Sequence, residues 1–402
     1  MTRWIDQPAH RSWLQDQFLA QLTFGKQFPH ADGGAHYLTS DGRPDTTQPV
    51  HTWVTARMLH VYALGHLAGL PGMRPLAERA LAGITGPLRD AEHGGWFASV
   101  GPDADRRDET KAGYAHAFVV FGAASGAIAG LPGARDVLAE ALEVLDKHFW
   151  EEDHGLHVDS FPASWGTAAA YRGVNANMHA VEALLSAADA TGDARWRERA
   201  LRITRTVLGW AAANDWRIPE HFDSAWTPLL EHHRDQPDHP FEPYGATVGH
   251  GLEWARLALH VRAAVEPTDA SLLAGAENLF DRAVTDGWHD GFVYTTDWSG
   301  RPVVTQRMHW VVAEAISAAS ALEQATGKPR YEELYRRYWD WAAQHLVGPD
   351  GSWQHELDEH NQPATTVWPG RPDLYHSVHA VLLPRLPLAP TAPTALARGL
   401  LT

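Results

Sequence analysis

One short phrase recurs six times along this chain, and it limits the possible folds more than any other feature. It consists of Asp or His, then Gly, then an aromatic residue close by and a few extended positions. The copies are Asp-Gly-Gly-Ala-His-Tyr at 32–37, His-Gly-Gly-Trp-Phe at 93–97, His-Gly-Leu-His-Val at 154–158, a glycine-less His-Phe-Asp-Ser-Ala-Trp at 221–226, Asp-Gly-Phe-Val-Tyr at 290–294 and Asp-Gly-Ser-Trp at 350–353. Successive copies stand roughly 60 to 70 residues apart, room for one helical hairpin with its loops. Six such units predict an all-α fold, a closed (α/α)6 barrel with short β-hairpins and loops at its mouth. No Pro/Ser/Gly-rich linker breaks the series, so residues 1–402 read as a single catalytic domain.

Two kinds of helix alternate around the phrase. Amphipathic runs at 11–22 and about 74–90, 134–149, 194–213, 269–283 and 329–346 carry apolar residues three and four apart, as an outer ring requires. Between them lie runs rich in Ala and Gly and apolar all round, such as 114–128 and 313–322, which predict a buried inner ring. The Pro-rich stretch 383–390 closes the last unit, and the tail after about 388 is expected to be loose.

Composition narrows the function. A net charge of −16 argues against a nucleic-acid partner, whose phosphates need a basic face. The chain has no cysteine, which excludes disulfides, thiolate nucleophiles and thiolate metal sites. No stretch reaches membrane-spanning length and the start lacks a signal-like apolar run, so a cytoplasmic protein without a membrane partner is expected. It could be a monomer or a homo-oligomer. The chain lacks a GxGxxG ahead of a helix, a P-loop and a GxSxG, so dinucleotide redox, phosphoryl transfer and serine-hydrolase chemistry have no support. The 18 Trp and 25 His suit a sugar site, because indole rings stack on sugar C–H faces and imidazole moves protons near neutral pH.

Polar side chains stand near the starts of the inner helices in register. They are Trp53 and Arg57, Tyr114 and Phe118, Asn175 with Met178 and His179, His250 and Glu253, Trp310 and Glu314, and His376. Their spacings of three and four put each set on one helix face. A buried charge is costly without a partner, so an Arg, two Glu and three His on apolar helices require an explanation. Singly, each has a structural one: Glu253 beside a helix N-terminus, Arg57 paired with a loop acid. Together they predict a pocket. His232, His233, Asp235, Asp238 and His239 resemble a metal set in composition but show no recognised ligand spacing, and they read as a solvated loop or lid. No metal and no cofactor is expected. The pocket residues suit proton transfer beside a sugar carbonyl better than glycoside hydrolysis, which needs paired carboxylates across a bond.

The segments 50–65, 175–185, 243–257 and 372–380 resemble the N-acylglucosamine 2-epimerase superfamily, most closely its mannose isomerase and sulfoquinovose isomerase branch. The resemblance spans nearly the whole chain. It implies an (α/α)6 barrel and a metal-free, cofactor-free isomerisation of a monosaccharide through a cis-enediolate. Expected substrates are D-mannose and D-fructose, with D-lyxose and D-xylulose as a second pair. A 2-epimerase or a sulfoquinovose isomerase is the alternative. The family pattern implies that His376 and His250 are the acid/base pair, with Arg57 on a sugar oxygen. It also implies that Glu253 orients His250 or contacts hydroxyls, and that Trp53, Tyr114, Asn175, Met178, His179, Trp310 and Glu314 line the sugar site, Phe118 standing beside Tyr114. One departure is Val248, where many relatives have Pro, which implies a looser entry to the helix that carries His250.

Overall fold

The computed structural model describes residues 2–102 and 106–402. Its helices, numbered in chain order, alternate between two rings. The outer ring holds α1 (Pro8–Phe24), α3 (Met73–Thr85), α5 (Ala134–Val144), α7 (Arg195–Ala213), α9 (Ala270–Gly287) and α11 (Pro329–His345). The inner ring holds α2 (Thr52–Leu67), α4 (Gly113–Ile128), α6 (Val174–Thr191), α8 (Val248–Val265), α10 (His309–Thr326) and α12 (Tyr375–Leu382). Each inner helix touches the next, and α12 touches α2, so the ring closes as an (α/α)6 barrel.

Residue chemistry assigns each helix to its ring. On α7, Trp196, Ala200, Ile203, Val207 and Ala211 are buried, while Arg195, Arg202 and Arg205 pair with surface acids. On α4 every residue from Ala115 to Ala127 is buried. A Cβ on Gly122 would sit 2.6 Å from the Ala56 carbonyl oxygen, so only glycine lets α4 approach α2 this closely.

A second ring, of short antiparallel ladders, ties the units together at the mouth. The residues just before each inner helix pair with a segment of the next unit: Val50 with Val100, Lys111 with Phe161, Arg172 with Phe222, Ala246 with Thr296, and Arg307 with Leu357. Leu38 and Arg371 close the circle, exchanging backbone hydrogen bonds of 3.0 and 2.7 Å.

The repeated phrase is the turn that follows an outer helix. Antiparallel bridges flank it at Pro29–Ala35, Arg89–Trp96, Trp288–Phe292 and Val347–Trp353, and the ladder Trp150–His157 does so in the third unit. In the fourth unit the equivalent turn is not 221–226. It lies at Asn214–Arg217, where Asp215 and Trp216 take the left-handed φ values of 53° and 63° that glycine takes elsewhere. The stretch 221–226 instead belongs to a second family of turns, in which an Asp carboxylate caps its own loop. Asp223 Oδ1 accepts from the amides of Ala225 and Thr227, as Asp297 does from Ser299 and Arg301.

Two further expectations are corrected. The tail is not loose: α13 (Ala392–Ala397) buries Ala392, Ala395 and Leu396 against α2, α4 and α6. Thr391 donates to Asp189 Oδ2 through both its amide and its hydroxyl, at 2.8 and 2.7 Å, so this segment plugs the barrel end opposite the mouth. Val248 does not loosen the entry to α8 either. Its amide donates to the Tyr294 carbonyl at 3.1 Å, an anchor proline could not supply. No helix among the described residues is long and apolar enough to cross a membrane.

Candidate active site

The ladders aim the N-termini of the six inner helices at one cavity of about 740 Å³, counted with its open mouth. Trp53, Arg57, Tyr114, Asn175, His179, His250, Glu253, Trp310 and His376 all line it. Convergent helix N-termini give it a positive field before any side chain is counted.

Two histidines face the cavity with matching support. His376 Nδ1 donates to Glu314 Oε1 at 2.9 Å, and Glu314 Oε2 accepts from Arg256 Nε at 2.7 Å. Burial opposes charge on Glu314, but Arg256 and His376 outweigh it and hold its pKa down at about 2. The same burial lowers the His376 pKa below its ordinary 6.5, with the Glu314 carboxylate offsetting part of the drop. His376 is therefore neutral near pH 7, with Nδ1–H pinned and Nε2 left as a base. His250 repeats the arrangement: its Nδ1 donates to Glu220 Oε2 at 2.9 Å. The Trp310 ring stands between the two imidazoles, 5.5 Å from each.

Arg57 forms the wall beside His376, on the neighbouring helix α2. It donates to Asp373 Oδ2 and to the Tyr114 hydroxyl, both at 2.9 Å. Its guanidinium carbon lies 4.3 Å from the centre of the Phe118 ring and 4.7 Å from that of Tyr375. The aromatic cage and ion pair fix the cation at the cavity edge.

Three expected site residues lie outside the lining. Glu314 is fully buried behind His376, with both oxygens committed to protein partners, so it holds a histidine rather than a sugar. Phe118 lies beneath the Arg57 guanidinium and is 1% exposed. Met178 is part of the core. Glu253 does line the cavity, but Glu220 is the carboxylate that orients His250. Burial, and then the nearby Glu314 charge, push the Glu253 pKa well above the usual carboxylate range, and its Oε2 has no hydrogen-bond partner among the described residues.

Spacing along one helix could not reveal the partners supplied by loops. Asp373 and Glu220 support Arg57 and His250 from outside the helical segments. Pro240, Phe241 and Trp368 close the rim, and a stacked pair, His309 on His355 with ring centres 3.8 Å apart, lines one wall. The Asp-Leu-Tyr-His segment at 373–376 did carry a readable sign of Asp373, an acid three residues ahead of a site histidine.

The potential ligand atoms of Glu253, Glu314 and His376, and those of His179, Glu182 and Glu253, cluster within 4.8 Å. Arg256 sits among these carboxylates, donating to Glu314, Glu182 and Glu253 at 2.7, 3.3 and 3.4 Å. A guanidinium already occupies the place where a metal's charge would act.

This architecture has close relatives. A family profile for N-acylglucosamine 2-epimerase matches residues 33–380. A protein named D-mannose isomerase from Thermobifida fusca is 48% identical over 404 aligned residues, covering 99% of both chains. Another of that name, from Pseudomonas cannabina pv. alisalensis, is 42% identical over 95% of this chain and 94% of its own. A crystal structure of D-mannose isomerase superposes with a TM-score of 0.87 at 26% identity, over 94% of this chain and 98% of that one. The cellobiose 2-epimerase of Spirochaeta thermophila shares the fold, with a TM-score of 0.81 at 23% identity over 93% and 95% of the two chains. Ring, mouth and sequence agree: the chain belongs to the N-acylglucosamine 2-epimerase family.

Proposed function

We propose that this protein is an aldose–ketose isomerase that interconverts D-mannose and D-fructose. The observation that carries the reading is a cavity that two carboxylate-braced histidines share with a caged arginine, in a chain 48% identical to a D-mannose isomerase.

The reaction moves one proton between neighbouring carbons of the open-chain sugar. His376 Nε2 takes the C2 proton, the C1–C2 double bond forms, and O1 gains a proton. The resulting cis-enediol returns a proton to C1 from His376 while O2 loses its own, giving the ketose. His250 opens the pyranose and shuttles the hydroxyl proton. Glu314 suits His376 to this task, because a carboxylate on Nδ1 stabilises the imidazolium that forms after proton capture. Arg57 and the helix N-termini stabilise the enediolate oxygens. The unpaired Oε2 of Glu253 hydrogen-bonds a sugar hydroxyl, and Asn175 and His179 add polar contacts.

Chromatography of incubations with mannose, glucose and fructose tests the proposal. Fructose as the main product from mannose is expected. Glucose as the main product replaces the isomerase with a 2-epimerase. The proposed chemistry needs no metal, so dialysis against a chelator should leave turnover unchanged. A loss restored by a divalent ion would sink the mechanism.

A further inference from the structure

The loop at 231–243 crosses the rim of the cavity. Pro240, Phe241 and Pro243 line the cavity, but Glu242 between them does not. Glu242 gathers histidines instead. Its Oε2 accepts from His232 Nε2 at 2.8 Å and stands 3.8 Å from His233 Nδ1. His233 Nδ1 donates to the Glu242 carbonyl at 2.8 Å, and the Glu242 amide donates to His239 Nδ1 at 3.0 Å.

The imidazoles form a column. Ring centres are 4.6 Å apart for His221 and His232, 4.0 Å for His232 and His233, and 4.6 Å for His233 and His239. A single His–Glu hydrogen bond would need one imidazole; here His233 stands close to the same carboxylate as well. His221 is locked by its own partners, accepting from the Tyr171 hydroxyl and donating to the Pro243 carbonyl, so it buttresses His232. The potential ligand atoms of His232, His233 and Glu242 lie within 4.8 Å of one another, on residues that solvent reaches.

We propose that His232, His233 and Glu242 bind a divalent transition cation of the zinc class outside the catalytic cavity, and that the ion pins the rim loop. Two imidazoles and one carboxylate are a zinc donor set, with the fourth position left to water. On binding, His232 Nε2 turns its lone pair to the ion in place of its hydrogen bond to Glu242, and the ring carries its single N–H on Nδ1. Because Glu242 stands between Phe241 and Pro243, a cation there would hold the segment that borders the sugar entrance.

Zinc chloride titrated into chelator-treated full-length protein tests this, with calorimetry to count sites and amide hydrogen exchange to locate them. One saturable equivalent is expected, together with slower exchange across 231–244. His232→Ala and Glu242→Gln should each weaken binding at least tenfold; both sites are partly exposed, and thermal unfolding checks that the variants fold. His376→Asn should leave the affinity unchanged. Failure to saturate would overturn the proposal. So would binding that survives both loop variants, or that disappears with His376→Asn, which would move the ion to the catalytic carboxylates.

Discussion

Each cavity histidine depends on the carboxylate behind it, and this gives the sharpest single-residue expectations. Glu314→Gln keeps the size of the side chain but removes the charge that stabilises imidazolium on His376. Removing the charge behind a general-base imidazole can cost up to about 10⁴-fold. The loss should appear in kcat with little change in KM, since Glu314 does not face the cavity. The pH profile carries an independent sign. His376 must be neutral to accept a proton, and its pKa is lowered below 6.5. Its acid limb in kcat/KM should therefore fall only below that pH, and Glu314→Gln should move the limb lower still. A limb unmoved by this variant would assign it to another group. Arg57→Ala should lower kcat by on the order of 100-fold, because the cation matters most when the oxyanion forms. A rise in KM alone would make Arg57 a ground-state binder. The sequence exposed Arg57, His250 and His376 because charge and imidazole are conspicuous on apolar helices. It could not separate Glu314, which braces, from Glu253, which faces the cavity, because helical spacing specifies a face but not the neighbour across the barrel. Asp373 and Glu220 escaped for a related reason: they meet partners 316 and 30 residues away through the fold alone.

Helix starts do the positioning at the level of the elements. Gly249, in the first turn of α8, lies against Trp310: a Cβ there would stand 2.2 Å from Trp310 Cζ3. Gly249→Ala must displace the indole between the two imidazoles. Overpacking of this kind costs about 1–3 kcal/mol, and here it should depress turnover more than thermal stability. Unchanged turnover would show that the Trp310 position is not critical. The outer helices were readable from their period, as α7 with its buried apolar stripe illustrates. The inner helices have no such stripe, since α4 is buried nearly all round, and only their small, apolar composition revealed them. The turn after α7 was misplaced because Asp215 and Trp216 adopt left-handed backbone without glycine, the residue whose presence marked the other turns.

The whole molecule is a barrel closed three times: by packing of α12 on α2, by the Leu38–Arg371 pairing, and by the α13 plug. The tail looked loose because its Pro and Ala residues carry no periodic signal, yet Leu396 and Ala395 are buried against the inner ring. Truncation after Leu388 should leave the mouth residues in place but destabilise the fold by about 2–5 kcal/mol, the range for losing one large core side chain. Thermal unfolding that does not change would show that the plug adds nothing. The ring brings six helix starts, and with them His250 and His376, around one cavity. Its chemistry can be read directly by running the wild-type reaction on D-mannose in heavy water and following the products by NMR. Proton transfer between C2 and C1 by one histidine predicts fructose as the main product, with any solvent deuterium at C1 in a single stereochemical position. Glucose deuterated at C2 as the main product, with little fructose, would contradict it.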